Sequence, residues 1–264
     1  MNVLLKLENC TIRFGGLTAV SGLDFDIREG ELAGLIGPNG AGKTTVFNLI
    51  TGVYPPTEGS IFFDGKKLNG LKPSKITQRG IARTFQNIRL YDSLCVFDNV
   101  RAAFNLRLRH GLIHSLTRGP KFRKEEEEVA DQVMDLLKLF NLDHAHDKIC
   151  KSLSYGDQRR LEIVRALATQ PKLLLLDEPA AGMSPNEKEE LMRLIHFVQK
   201  EFKLAVLLVE HDMKVVMGIC QHICVIDYGV KIAEGSPEEI KAHPKVIEAY
   251  LGVAPPQPEE SSRA

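Results

Sequence analysis

With 264 residues, the chain is long enough for one substantial core carrying an inserted subdomain, or for two small domains. Its 34 Lys plus Arg are matched by 34 Asp plus Glu, and a net charge of zero speaks against a global basic footprint for nucleic acid. The composition is that of an ordinary globular protein, which excludes a fibre or a chain disordered throughout.

In chain order, Val3–Phe14 and Leu23–Ile27 read as strands separated by the turn signals Gly15-Gly16 and Gly22. Leu32–Ile36 is a short apolar strand that runs into a glycine-rich loop. A helix is predicted from Lys43 to about Thr51, stopped by Gly52 and Pro55-Pro56. Ile61–Phe63 is a further strand, turning at Asp64-Gly65. From Phe97 to Phe140 the pattern becomes helical, with Val129, Val133, Leu136, Leu137 and Phe140 on one face. Glu125–Glu128 is expected at the solvated start of that helix, where negative charge suits the dipole. The polar, basic segment Arg109 to Arg123 reads as a loop or broken turn.

The last third alternates: helix Gln158–Ala168, strand Leu173–Leu176, helix Glu187–Phe202, strand Ala205–Val209. Apolar strands without alternation, separated by amphipathic helices, imply a parallel sheet covered on both faces. Pro255 to Ala264, rich in Pro, Glu and Ser, is expected to be a disordered tail.

The cysteines Cys10, Cys95, Cys150, Cys220 and Cys224 are odd in number and form no CxxC pair, so a reducing compartment fits better than a disulfide framework. Cys220, His222 and Cys224 are spaced like a metal cluster, but they sit in an apolar stretch with no second ligand pair; buried cysteines are the stronger reading. Met1 to Cys10 has no long apolar run, so no secretory signal is expected there. The longest apolar runs are far too short to span a bilayer, so another chain would have to hold this one at a membrane.

The strongest chemical signal is the run Gly37, Pro38, Asn39, Gly40, Ala41, Gly42, Lys43, Thr44, Thr45. It matches G-x-x-x-x-G-K-[ST] between an apolar strand and a helix, the context that confirms a phosphate loop. The glycines let successive N–H groups turn toward one phosphate chain, and the helix N-terminus adds positive potential. Lys43 can reach the β- and γ-phosphates, and the Thr44 hydroxyl can bind Mg²⁺. A second signal is the apolar strand ending in Asp177-Glu178. Asp177 can serve the metal, and Glu178 can orient or deprotonate water. These two signals alone define a P-loop ATPase.

Leu153-Ser-Tyr-Gly-Asp-Gln-Arg-Arg160 resembles the LSGGQ signature of the ABC ATPase family, with Ser154 and Gly156 retained. Gln86 falls where that family places its glutamine, His211 where it places its switch histidine, and Phe14 where it stacks an aromatic on adenine. Taken alone, His211 could be a structural histidine and Phe14 a core aromatic. The motif order is also the family's, and the resemblance spans Leu4 to Gly252. It implies an α/β fold: a RecA-like P-loop parallel-sheet core, an N-terminal antiparallel β subdomain and an inserted α-helical subdomain. Residues 1–252 would form one nucleotide-binding domain with the helical part at about 88–157, and 253–264 a tail.

The resemblance further implies ATP and Mg²⁺ as ligands. Lys43, Gln86, Glu178 and His211 would be catalytic, with Thr44, Gln86 and Asp177 on the metal. Ser154 and Gly156 would serve the ATP held by a second ABC ATPase subunit. Membrane permease subunits would be direct partners and a substrate-binding protein an indirect one, with no nucleic acid, at the cytoplasmic face of the membrane. Asn87 to Leu94, offering Ile88, Leu90, Tyr91 and Leu94 beside Arg89 and Asp92, would form part of the groove that receives a permease helix, or else a hinge that packs the helical part.

Three positions depart from the pattern. Tyr155 replaces the first signature glycine, which a negative φ would allow. Asp157 replaces the signature glutamine and could cap the following helix. Ser184 stands where an Asp is common and bears on the link between the two sites of a dimer.

Arg83-Thr-Phe-Gln-Asn-Ile-Arg-Leu90, Ser154 to Ile163, Glu178-Pro-Ala-Ala-Gly182, the insertion Arg107 to Arg123 and the ending Glu234 to Gly252 look like the branched-chain amino acid uptake ATPases of the LivG type. Urea and short-chain amide importers carry close relatives. A non-transport ABC ATPase would bring two cassettes, a coiled coil or a basic surface, and a small-molecule kinase would not explain the signature segment.

Overall fold

The computed structural model describes residues 2–104 and 120–251. β1 (Val3–Phe14) and β2 (Leu17–Arg28) form an antiparallel hairpin that turns at Gly15-Gly16, with Phe14 opposite Leu17. β4 (Glu58–Phe63) pairs antiparallel with the other edge of β1, and β5 (Lys66–Lys67) follows across the Asp64-Gly65 turn. Gly22 was expected to mark a turn. It lies inside β2 at φ +56°, a conformation open to glycine that lets the strand continue from Leu17.

The second sheet has the order β10-β9-β3-β8-β7-β6. β3 (Leu32–Ile36), β6 (Ile81–Arg83), β7 (Leu173–Asp177), β8 (Ala205–Val209) and β9 (His222–Asp227) run parallel. β10 (Val230–Gly235) closes the edge as an antiparallel hairpin with β9, so the sheet is mixed at that edge. The apolar runs are explained by burial of both faces. Leu174, Leu176, Val206 and Leu208 enter one apolar cluster. Leu173, Leu175, Leu207 and Val209 enter the other, together with the β subdomain and the helix that follows the phosphate loop.

That helix is α1 (Lys43–Ile50), and α2 (Pro73–Gln78) precedes β6. α3 (Val96–Phe104) packs against α4 (Pro120–Leu139) and α5 (Tyr155–Leu167). α6 (Pro185–Glu201), α7 (Met213–Ile219), α8 (Pro237–Ala242) and α9 (Pro244–Leu251) complete the order. Val129, Val133 and Leu137 of α4 are buried on the expected face.

Two local expectations need correction. α4 begins at Pro120, so Pro120 to Arg123 are helical rather than loop; proline is well suited to a first helical turn. Residues 109–119 of the expected loop, and 253–264 of the expected tail, lie outside the described residues. The Glu125–Glu128 run consequently sits beyond the first turn, where the dipole has faded. Glu126 instead pairs with Arg101 of α3, a contact that ties the two helices together. Among the described residues, no helix is long and apolar enough to cross a membrane.

Candidate active site: the phosphate loop and its facing carboxylates

β3 is buried along its whole length and delivers the chain into the loop Gly37–Gly42. The loop has no room for side chains at its two ends. A Cβ on Gly37 would lie 2.0 Å from the Ile226 carbonyl oxygen, and one on Gly42, at φ +104°, 2.7 Å from that of Ala19. α1 starts immediately at Lys43, so its first amides end on the loop. The Lys43 ammonium donates to the Gly37 carbonyl at 2.7 Å and the Pro38 carbonyl at 2.9 Å. Burial draws its pKa down, against the opposing pull of Glu178 and Asp177. Asn39, Gly40 and Thr44 are exposed, Pro38, Gly42 and Thr45 half-buried, and Ala41 buried.

β7 brings in the carboxylates. Asp177 is buried at the end of the strand, and its Oδ2 accepts from Arg83 Nη2 at 2.7 Å. Arg83 also donates to Asn48 of α1 at 2.7 Å, so α1, β6 and β7 are joined beneath the loop. Glu178 continues the ladder with its N–H bonded to the Val209 carbonyl at 2.9 Å. It does so at φ +46°, a left-handed conformation that is unfavourable for a residue with a Cβ. Its side chain meets two groups from other loops. Gln86 Nε2 donates to Oε2 at 2.7 Å, and His211 Nε2 lies 2.5 Å from Oε1.

Gln86, Glu178 and His211, read separately in the sequence, therefore meet at one carboxylate. Phe14, the last residue of β1, is 42% exposed, which removes the core-aromatic alternative; its ring stands edge-on to Tyr54 with centroids 5.1 Å apart. Ser154 and Gly156 are not part of this cluster. They border a separate depression with Met183, Leu191 and Leu194, and no phosphate-loop residue lines it.

The structure also accounts for the departures from the signature pattern. Tyr155 opens α5 in helical conformation, its hydroxyl donating to the Ala181 carbonyl at 3.4 Å. The cap of α5 is Ser154, not Asp157: Ser154 Oγ accepts the Asp157 amide and donates to its carboxylate at 2.8 Å. Ser184 caps α6 in a full capping box with Glu187. Cys220 and Cys224 fall in opposite apolar clusters, where burial pushes both thiols up to about 12.

Among the acidic residues around Glu178, Glu210 escaped sequence reasoning. Glu210 is 3% exposed, and its carboxylate accepts the amides of Ala180 at 2.6 Å and His211 at 3.1 Å. It fixes the turn after Glu178 against the turn that carries His211, and burial raises its pKa. The acid directly before His211 at the end of a buried strand was the available signal.

Beside the site an open groove of about 530 Å³ is lined by Val53, Arg83, Phe85, Tyr91, Ala103 and Arg165, among others. Of the segment Asn87 to Leu94, Tyr91 lines this groove, whereas Leu90 packs against the apolar cluster and is no free anchor.

A phosphate loop between strand and helix, with paired carboxylates at the end of another parallel strand of the same sheet, defines a P-loop nucleotide hydrolase. The family model described as "ABC transporter" matches residues 20–181, and one described as "Branched-chain amino acid ATP-binding cassette transporter" matches residues 230–255. The high-affinity branched-chain amino acid transport ATP-binding protein LivG of Salmonella typhimurium is 45% identical over 95% of this chain and 98% of its own length. Among solved structures, the ADP conformation of MJ1267, an ATP-binding cassette of an ABC transporter, superposes with a TM-score of 0.82. It is 30% identical, over 96% of this chain and 100% of that one. The dimeric, post-hydrolysis cassette MJ0796 bound to ADP and Pi gives 0.74 at 27% identity, over 89% and 99%. The chain belongs to the ABC transporter family. It is an ATP-binding subunit whose hydrolysis of ATP is coupled to transport, and subunits of this kind dimerise and work with membrane permeases.

Proposed function

We propose that this chain powers the uptake of branched-chain amino acids from the cytoplasmic face of the membrane, through a permease that it engages by the Tyr91 groove. The substrate is supported by the name of the LivG relative and by the match at residues 230–255. The groove is supported by its open, largely apolar lining beside Gln86, which suits a short permease helix docking by a few anchors.

In the hydrolytic site, the loop amides and Lys43 hold the β- and γ-phosphates, and Phe14 packs on the adenine. Thr44, Asp177 and Gln86 offer hard oxygen donors that fit Mg²⁺, and the metal when bound supplies neutralisation of the phosphate charge. Glu178 accepts a proton from the attacking water, as its oxygen forms the new bond to the γ-phosphorus and ADP leaves. Gln86 and His211 orient that carboxylate. Ser154 and the Gly156 amide, at the start of α5, complete the site of the opposite subunit.

The observation that carries this reading is the convergence of Gln86 and His211 on the two oxygens of Glu178. The test is uptake into proteoliposomes holding the chain, its permease and its binding protein, with ATP inside. Leucine, isoleucine and valine should accumulate with wild type and not with Glu178→Gln. Accumulation of urea in place of these amino acids would overturn the substrate assignment.

A further inference from the structure

Two charged side chains of α5 grip the backbone on both sides of Gln86. Arg159 and Glu162 are 3% and 2% exposed and form an ion pair of 3.0 Å. Arg159 Nη1 donates to the Phe85 carbonyl at 2.6 Å, and Nη2 donates to the Gln86 carbonyl. Glu162 Oε1 accepts the amides of Phe85 at 3.3 Å and Arg89 at 3.2 Å. The helix that supplies this grip begins directly after Ser154.

A buried ion pair returns little net stability, because both charges give up water; fixing an arrangement is a better-supported use for it. The geometry suits that use. Arginine presents two N–H groups in a rigid fork, which spans successive carbonyls in a way lysine cannot. The grip leaves the Gln86 side chain free to reach Glu178 at 2.7 Å.

We infer that Arg159 and Glu162 are positioning residues for Gln86. They make α5 and the backbone from Phe85 to Arg89 move as one body. A shift of the signature helix is thereby delivered to the Gln86 amide, and through it to Glu178. The inference rests on the roles given to Gln86 and Glu178 under the proposed function.

The test is ATP hydrolysis by the transporter purified with its permease, comparing Arg159→Lys, Gln86→Ala and the double variant. Arg159→Lys keeps the charge opposite Glu162 but loses the fork. Its kcat should fall about tenfold or more with the KM for ATP changed less than about twofold. Gln86→Ala should fall at least as far. The double variant should be no slower than Gln86→Ala alone, because nothing is left to position. Glu162→Gln should show the same non-additivity with Gln86→Ala, and it replaces Arg159→Lys if that variant does not fold. Multiplicative losses, or wild-type turnover in both Arg159→Lys and Glu162→Gln, would overturn the clamp and leave the role of Gln86 standing. Wild-type turnover in Gln86→Ala would remove both.

Discussion

The side-chain amide of Gln86 donates to Glu178 Oε2 at 2.7 Å. Gln86 follows β6 and leads toward the groove lined by Tyr91, whereas Glu178 directly follows β7. One hydrogen bond therefore joins the groove side of the molecule to the Glu178 carboxylate. With His211 on the second oxygen, the carboxylate is held from two loops.

Lys43 is buried with its ammonium on the Gly37 and Pro38 carbonyls, poised on the floor of the phosphate loop. Lys43→Ala removes charge-assisted hydrogen bonds to the phosphates and should weaken ATP binding about 10- to 100-fold, with turnover falling alongside. Calorimetric titration of the purified variant measures this. Affinity and turnover both unchanged would contradict the assignment.

How much of this was legible in the sequence depended on the length and locality of each signal. Leu32–Ile36, the loop and α1 are contiguous, so motif and context could be read together. β6 spans only Ile81–Arg83, too short for a periodicity, and it owes its place to pairing with β7. Met217 to Ile226 read as one apolar stretch; it divides into the end of α7 and β9, because residues with the same hydropathy serve both. Arg159 and Glu162 stand three apart on a helix, the spacing of a solvated pair. Their burial comes from the Phe85 to Arg89 backbone, which the sequence gives no means of placing there.

Tyr91 is 54% exposed at the edge of the groove, and the Arg165 guanidinium lies over its ring at 5.4 Å. As a surface aromatic it can be truncated without opening the core, whereas Leu90 cannot. Tyr91→Ala should reduce the amount of permease that co-purifies and should lower uptake per ATP hydrolysed. A hot-spot aromatic is worth about 2 kcal/mol or more of binding. ATP binding by the isolated subunit should be unchanged. Wild-type co-purification together with wild-type uptake would show that this surface does not receive the permease.

His222 provides a test by pH. Its Nε2 lies 3.0 Å from Glu234 Oε1 and its Nδ1 3.5 Å from Glu31 Oε1. The Glu234 contact holds the imidazole pKa above its ordinary value, against partial burial. A raised native-state pKa stabilises fully below the unfolded value of about 6.5, and the contribution is lost as pH rises through the native pKa. The thermal midpoint of wild type should therefore decline across that window more steeply than that of His222→Gln. Parallel curves for the two proteins would contradict the pairing.

The most direct measurement is made on Glu178→Gln, which keeps the shape of the side chain and removes its basicity. Loss of a general base costs about 10²–10⁴-fold in rate. Size-exclusion chromatography of this variant with Mg-ATP, with the bound nucleotide then quantified, should give a stable dimer retaining unhydrolysed ATP. Wild type under the same conditions should return to monomer with ADP and phosphate. A Glu178→Gln protein that hydrolyses ATP at the wild-type rate, or that binds ATP and remains a monomer, would contradict the account.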